Sequence, residues 1–225
     1  MARTLLRRDV GEVFDQSHVT DVAEEFTLIE ADGAAMKLWD TPGFGDSFRL
    51  WRRLQKTDTA VVGFVNNMWD RFTDRPFWCC QQAILNVRDH ADIVLYLANA
   101  AEDPGEAAYV KPELEILNWL NKPIIVLLNQ MGPPRDRETE KAELERWKDH
   151  FERLGISSEV MAFDAFARCW VQENVLWNTI RTSLSAERQI VMDACLEIWR
   201  KRDVDIFRKA IERLADALAE LVGDR

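Results

Sequence analysis

Two uninterrupted apolar runs constrain the fold more than any other feature of the chain. Residues 91–97 (Ala-Asp-Ile-Val-Leu-Tyr-Leu) and residues 122–128 (Lys-Pro-Ile-Ile-Val-Leu-Leu) have the length of strands and do not alternate between apolar and polar residues. A helical pattern separates them, over about residues 111–120. Strands that are apolar on both faces are typical of a parallel sheet covered by helices on both sides. The runs therefore predict an α/β fold.

The segments before these runs predict a hairpin and a group of helices. Residues 26–30 and 35–39 are β-rich and flank Asp32-Gly33, which is a turn signal. We expect them to form an antiparallel hairpin. Residues 47–89 carry helical apolar stripes and several bulky aromatic side chains, so we expect a helical insertion there.

The segments after the runs continue the alternation of helices and strands. Residues 137–154 form a charged helical pattern, and residues 158–162 resemble a short last strand. This order predicts a doubly wound sheet. The remainder is helical in pattern, so we predict an α/β domain over residues 1–170 and a C-terminal helical region over residues 171–225.

The last predicted helix is amphipathic. Its apolar residues recur at three- and four-residue spacing, at Phe207, Ile211, Leu214, Leu218 and Leu221. One stripe of this kind packs on a sheet, pairs with another helix, or leads to a segment outside this chain. The sequence leaves these three alternatives open.

Composition and charge argue against several classes of protein. The net charge of −10 does not provide the positive field that a general nucleic-acid surface needs. The four cysteines have neither zinc-site nor redox-pair spacing, and the three histidines share no ligand spacing. No apolar run approaches the roughly 18 residues that span a bilayer. We therefore expect reduced cysteines and a cytoplasmic protein that does not bind nucleic acid.

A candidate site follows the second strand of the predicted hairpin, at Asp40-Thr41-Pro42-Gly43. The strand delivers a carboxylate to one edge of a sheet, and the turn brings a backbone N–H beside it. These are groups that bind Mg²⁺ and a terminal phosphate. A β-turn of the x-Pro-Gly type, without a ligand, is the alternative interpretation.

The order of these features resembles a GTPase domain. Asp-Thr-Pro-Gly after a hairpin strand, then a buried strand, then a strand that ends at Asn129, is similar to P-loop GTPases of the Era/TrmE-like branch of the translation-factor class. More closely, the chain resembles bacterial GTPases with a C-terminal helical domain of unknown function. The resemblance covers about residues 2–170. It implies a three-layer doubly wound sheet, GTP and GDP as ligands, and hydrolysis of GTP with Mg²⁺.

The resemblance also implies roles for residues on the phosphate side. Asp40 would hold Mg²⁺ through water, and the Gly43 N–H would meet the terminal phosphate. Thr20 would be the threonine that closes on Mg²⁺ in the triphosphate state. Residues 15–21 and 43–55 would then differ between the two nucleotide states. No catalytic residue is assigned, because Phe44 follows Gly43 where a glutamine or histidine would stand.

On the base side, Asn129 matches the first residue of the family's Asn-Lys-x-Asp guanine signature. Here Gln130-Met131-Gly132 replaces Lys-x-Asp, so the carboxylate that distinguishes guanine from adenine is missing. The choice between guanine and adenine stays open. The resemblance further implies that a backbone N–H near Ala165 meets the base.

One motif of the family is missing from the chain. The 225 residues do not contain Gly-x-x-x-x-Gly-Lys-Ser/Thr, the loop that cradles the β- and γ-phosphates. Residues 2–8 resemble the remainder of the helix that follows this loop. The chain thus resembles a GTPase without its first, central strand. We expect the sheet to be disrupted, or closed up, between the strand ending at Asp40 and the strand at residues 91–97.

Two functions follow from these expectations. The first is a GTPase-type molecular switch, represented by a chain without its phosphate loop. The second is an interaction module that kept the fold and lost nucleotide binding, with a protein partner at residues 47–89 or at the C-terminal amphipathic helix. The resemblance further implies that regions outside this chain bring the protein close to a membrane.

Overall fold

A computed structural model describes residues 5–6, 23–31, 33–41, 43–56, 74–164 and 170–223. The chain is a mixed α/β protein, as predicted. Its elements, in chain order, are β1 (Glu24–Ala31), β2 (Ala34–Asp40), α1 (Ser47–Lys56), α2 (Arg75–His90), β3 (Val94–Asn99), α3 (Val110–Trp119), β4 (Ile124–Asn129), α4 (Arg137–Arg153), β5 (Glu159–Ala162), α5 (Trp170–Ser183) and α6 (Ala186–Gly223).

The core is a small parallel sheet with the strand order β3-β4-β5. In its register Val94 pairs with Ile124, and Val126 pairs with Val160. The first five residues of β4 are buried, and burying one such aliphatic side chain stabilises the fold by about 1.5–3 kcal/mol. The predicted parallel sheet is therefore confirmed, and β4 is its centre.

Helices supply the remaining core. Side chains from α1, α2, α3 and α4 pack with the strands in one cluster, whose fully buried members include Leu50, Ile84, Leu114, Trp147 and Phe151. Local signals set the starts of two of these helices. Asp74 accepts a hydrogen bond from the Phe77 N–H at 3.3 Å, and Asp136 accepts one from the Thr139 N–H at 2.9 Å. Such caps satisfy donors that a helix start leaves unpaired.

Strand β3 differs from its prediction in two respects. It begins at Val94 and ends at Asn99, later than the apolar run suggested, and residues 92 and 93 form a bend. Leu97 is 45% exposed, although the pattern predicted cover on both faces. Among the described strands β3 lies at an edge of the three-stranded sheet, where less of the fold covers the faces of a strand.

The predicted hairpin is present as a sheet of its own. Strands β1 and β2 pair with each other, and the two-residue connection between them requires an antiparallel arrangement. Gly33 in this turn has a φ of +81°, which glycine adopts at little cost. In the described part of the chain β2 and β3 thus lie in separate sheets, and the loss of a central strand between them stays a prediction.

The chain divides into two compact units. One contains Met1–Phe26 and Leu38–Leu184, and the other contains Thr27–Lys37 and Ser185–Arg225. The sequence-based boundary near residue 170 stays a prediction. Among the described helices, none is long and apolar enough to cross a membrane.

The second unit is built on the first half of α6. This half buries Met192, Cys195, Leu196 and Trp199, whereas the stripe predicted farther along the same helix is exposed. The Arg202 guanidinium lies 4.0 Å from the centre of the Trp199 ring. Arg202 also donates a hydrogen bond to the Leu28 carbonyl at 3.5 Å, so the hairpin and α6 are joined within this unit.

A buried acid lies between β3 and α3. The Tyr96 hydroxyl donates a 2.6 Å hydrogen bond to Glu113 Oε2, and both residues are less than one tenth exposed. Burial raises the pKa of Glu113 to about 7, and the hydrogen bond from Tyr96 lowers it only in part. Burial also raises the pKa of Tyr96. The fold therefore favours the neutral carboxylic acid.

This raised pKa predicts a pH-dependent stability. Glu113 binds its proton more tightly in the folded chain than at its ordinary pKa of 4.5, so its contribution is fully present below pH 4.5. It is lost as the pH rises through about 7, at a cost on the order of 3 kcal/mol. Glu113→Gln is uncharged at every pH, so its unfolding free energy does not fall in this way as the pH rises. Denaturant unfolding of both proteins from pH 4.5 to 8 measures the difference.

The matched control is Glu115→Gln, on the same helix, where the carboxylate is partly exposed and lies 3.9 Å from Lys111 Nζ. This variant keeps the pH dependence of the parent. Parallel pH profiles for the parent and for Glu113→Gln would contradict the assignment to Glu113.

Candidate functional site

The carboxyl edge of the parallel sheet gathers polar residues. Strands β3 and β4 end together at Asn99 and Asn129, which are paired in register. The Ala100 N–H donates to the Asn129 carbonyl at 2.8 Å, so the two chain segments stay together just beyond the strands. In open α/β sheets this edge is where ligands bind.

The loop after β4 has an unusual backbone. Gln130 has a φ of +58° and Gly132 a φ of +79°. A left-handed conformation costs glycine little, but it is uncommon for a side chain as long as that of glutamine. Such outliers persist only where the surroundings hold them, and they are enriched at functional sites.

A buried carboxylate holds this loop. The Met131 N–H donates a 2.9 Å hydrogen bond to Asp164 Oδ2, across 33 residues of sequence. Asp164 directly follows β5 and is 6% exposed. The Phe163 N–H also donates to the Leu128 carbonyl at 3.0 Å. The loops after β4 and β5 are thus joined into one rim at the carboxyl edge, which we call the β4–β5 rim (residues 129–132 and 163–164).

The sequence analysis predicted a site in the segment that contains Asp164, but it did not identify the role of Asp164. It expected a backbone N–H near Ala165 to act there, and Ala165 lies outside the described residues. The available signal was position, since an acidic residue directly after the last strand lies at the same edge as Asn129. Asn129 is where the sequence placed it, half-buried at the end of β4.

The loop after β3 is organised locally. The Asn99 side chain donates to Glu102 Oε1 at 2.9 Å and accepts from the Ala101 N–H at 3.0 Å. The Tyr109 hydroxyl donates to Glu102 Oε2 at 2.9 Å. Glu102 and Asp164 make this edge acidic, so it suits ligand groups that donate hydrogen bonds.

The phosphate-side candidates lie on the hairpin and the turn after it. Asp40 ends β2 with an exposed side chain, yet desolvation by neighbouring atoms raises its pKa above the ordinary value. The turn is fixed to α2 by one thiol. Gly45 donates its N–H to Cys80 Sγ at 3.0 Å, and the Cys80 thiol approaches the Gly43 carbonyl at 3.8 Å.

Helix α1, which lies within the segment expected to switch, is also tied to α2. Arg49 forms an ion pair with Asp74, and its guanidinium lies 4.2 Å from the centre of the Phe77 ring. Contact with an aromatic face orients a cation at modest gain when it is exposed. These contacts orient the Arg49 side chain toward the start of α2.

The residues fit Mg²⁺ only in part. Asp40 offers one carboxylate, and Mg²⁺ is commonly held by one or two carboxylates together with ligand phosphates. Within the described ranges no group of three or more histidine, cysteine, aspartate or glutamate side chains could hold a metal. Thr20, the second expected ligand, lies outside the described residues. Asp40 therefore suits an ion brought with phosphates and does not form a metal site by itself.

The structure brings only some of the predicted site residues together. Asn129 shares the β4–β5 rim with Asp164, whereas Asp40 ends a strand of a separate sheet and Gly43 follows in the next turn. Comparison with known proteins adds nothing to this assignment, since no family profile and no curated protein matches the chain.

The hydrogen bond from Met131 to Asp164 generates a test. Asp164→Ala removes the acceptor of a part-buried N–H, so we expect a loss of about 1–3 kcal/mol in unfolding free energy. The Met131 amide should also lose its protection from hydrogen exchange. Asp164→Asn keeps an acceptor oxygen and should retain most of this protection. Unchanged exchange at Met131 in Asp164→Ala would contradict the role assigned to the carboxylate.

Proposed function

We propose that this chain is a nucleotide-dependent switch domain of the GTPase type, with the doubly wound architecture of that class. In this proposal Asn129 and the β4–β5 rim contact the nucleobase. Asp40 and Gly43 face the metal-bound phosphate end, and Thr20 and the Ala165 N–H complete the two sides. Bound Mg²⁺ would neutralise charge on the phosphates of GTP.

The joined loops after β4 and β5 are the observation that carries this proposal. A base-binding pocket needs a planar amide from one loop and a fixed wall from the next, and Met131 and Asp164 tie those two loops together. The left-handed backbone at Gln130 and Gly132 turns the loop sharply just after Asn129. Preorganisation of this kind reduces the entropic cost of binding a rigid base.

The phosphate side has weaker support. The Asp40 carboxylate and the turn at Gly43 have the residue types that the resemblance requires, and Cys80 holds the turn in place. The sequence contains no Gly-x-x-x-x-Gly-Lys-Ser/Thr loop, and that loop supplies most of the contacts to the β- and γ-phosphates. We therefore expect this chain to bind nucleotides weakly and to hydrolyse them slowly or not at all.

The second candidate is an interaction module of the same fold without nucleotide binding. The missing phosphate loop favours it, and so do the exposed apolar residues of α6. The two candidates differ in one measurable property, which is affinity for nucleotides.

Nucleotide titration tests the proposal directly. Fluorescent GTP, GDP and ATP analogues are titrated against the chain with Mg²⁺, and polarisation gives each Kd. We expect saturable binding that Asn129→Ala weakens by about tenfold, because one directed hydrogen-bonding group contributes about 1.4 kcal/mol. The ratio of the GTP and ATP affinities settles the base that the rim accepts.

The control is Asn118→Ala, which removes an exposed amide from the end of α3 and leaves every Kd unchanged. Absence of saturable binding for all three nucleotides would overturn the switch proposal and favour the interaction module. If Asn129→Ala and Asn118→Ala weaken nucleotide binding equally, Asn129 is not part of the binding site.

Gly43 allows a separate test of the phosphate side. An added Cβ at Gly43 meets no atom within 4 Å, and its φ lies outside the left-handed region. Gly43→Ala should therefore unfold at the same temperature as the parent. If the Gly43 N–H contacts a terminal phosphate, crowding by the new methyl group weakens the binding of GTP more than the binding of GDP. Equal weakening of both nucleotides would contradict that role.

A further inference from the structure

The second half of α6 carries an exposed row of apolar side chains. The row contains six side chains, and each of them is between 48% and 68% exposed. They follow one another at intervals of three, four, three, four and three residues along the helix. We call this row the α6 seam: Val204, Phe207, Ile211, Leu214, Leu218 and Leu221.

The spacing of the seam identifies its geometry. The alternation of three and four residues repeats every seven, or 3.5 residues per step over each heptad, which is the repeat of a coiled coil, whereas a straight helix has 3.6 residues per turn. In heptad notation three residues occupy position a (Val204, Ile211, Leu218) and three occupy position d (Phe207, Leu214, Leu221). The seam spans 18 residues, or about 27 Å of helix. A row of this kind fits a second helix with the same repeat.

The side chains at these positions favour a particular assembly. Two of the three a positions hold β-branched residues, Val204 and Ile211, and two of the three d positions hold leucine, Leu214 and Leu221. β-branched residues at a with leucine at d favour parallel two-stranded coils over trimers and tetramers. The seam therefore favours two chains over three or four.

The residues beside the seam agree with a parallel pair. In that arrangement position g of one helix lies beside position e of the next heptad in its partner, so Asp203 of each chain lies beside Arg208 of the other. In an antiparallel pair position e lies beside position e and position g beside position g, so Arg208 would lie beside Ala215 and Asp203 would lose its cationic neighbour. Ala210, Ala215 and Ala217 hold the other flanking positions, and small side chains there permit close approach.

The charge of the helix argues against a lipid surface as the occupant. Helices that lie on membranes carry mainly lysine and arginine on their polar face. Between residues 203 and 221 acidic side chains outnumber basic ones: Asp203, Asp205, Glu212, Asp216 and Glu220 against Arg208, Lys209 and Arg213. An anionic bilayer would repel this face.

Helix α6 is already folded in the single chain, so the pairing of two seams does not have to create it. Isolated coils this short are marginal, because nucleating a helix is costly. Here α6 runs without a break from Ala186 to Gly223, and its first half is anchored by buried Leu196 and Trp199. Most of the ordering is therefore complete in the single chain, which lowers the cost of association.

We propose that the α6 seam is a homodimerisation surface, on which two copies of this chain pair as a parallel, in-register two-stranded coiled coil. The pairing is independent of nucleotide, so it does not depend on the function proposed above. Its occupant is a second copy of the chain, through the same six residues.

Sedimentation equilibrium of the full chain tests the proposal. Over about a hundredfold range of protein concentration, the mass should rise from that of one chain to that of two. Leu214→Glu buries a charge at the centre of the seam and should raise the dimer Kd at least about tenfold. The matched control is Ile206→Glu, which changes an equally long apolar residue that is 42% exposed but occupies position c, away from the seam.

Single cysteines at the two ends of the seam test its direction. In a parallel pair Val204→Cys and Leu221→Cys each form a disulfide with their own copy under mild oxidation. In an antiparallel pair only a mixture of the two variants cross-links. A mass of one chain at every concentration, equal effects of Leu214→Glu and Ile206→Glu, or cross-linking only in the mixture would each overturn the proposal.

Vesicle sedimentation tests whether the α6 seam binds a lipid surface instead of a second chain. Vesicles of phosphatidylcholine with about one third phosphatidylserine should not carry the chain down, because the seam's polar flanks are acidic. Co-sedimentation that Leu214→Glu abolishes and Ile206→Glu does not would assign the seam to a membrane surface and overturn the dimer.

Discussion

Strand β4 lies between β3 and β5, and its first five residues are buried. A strand of this kind gains stability only if both faces are covered and both edges are paired. The helices of the first unit supply the cover, with Trp147 and Phe151 of α4 and Leu114 of α3 in the same cluster. The register that buries β4 also fixes where the three parallel strands end. The geometry of the candidate site is therefore a consequence of core packing.

Two strands that end in register place their last residues side by side, and here those residues, Asn99 and Asn129, are polar. Asn99 is satisfied within its own loop by Glu102 and the Ala101 N–H, whereas the loop after Asn129 crosses to Asp164. A buried carboxylate that accepts a backbone N–H keeps a loop in a conformation it would otherwise leave. The left-handed backbone at Gln130 is held in this way. The β4–β5 rim is thus a preorganised edge, whereas Asp40 lies on a hairpin with its own sheet.

The sequence predicted elements well where a single pattern determined them. Residues 122–128 predicted β4 because a run that is apolar on both faces has few alternatives. The start of β3 could not be read in this way, since pairing with β4 sets it, and the Val94 N–H donates to the Pro123 carbonyl. The exposure of Leu97 depends on strand order, which is not a local property. Asp164 was missed because a hydrogen bond to a backbone N–H 33 residues away leaves no pattern of side chains.

Helix α6 changes its surroundings along its length, and its sequence explains where. In the first half Leu196 and Trp199 are buried, and the heptad positions that would continue the seam toward them are Glu197 and Arg200. The seam therefore begins only at Val204, beyond the residues that pack within the unit. Single exposed apolar residues are ordinary on protein surfaces, but a contiguous row of them marks an interaction site. Because the two halves use different faces, one helix can anchor its own unit and still present a complete apolar seam to a second chain.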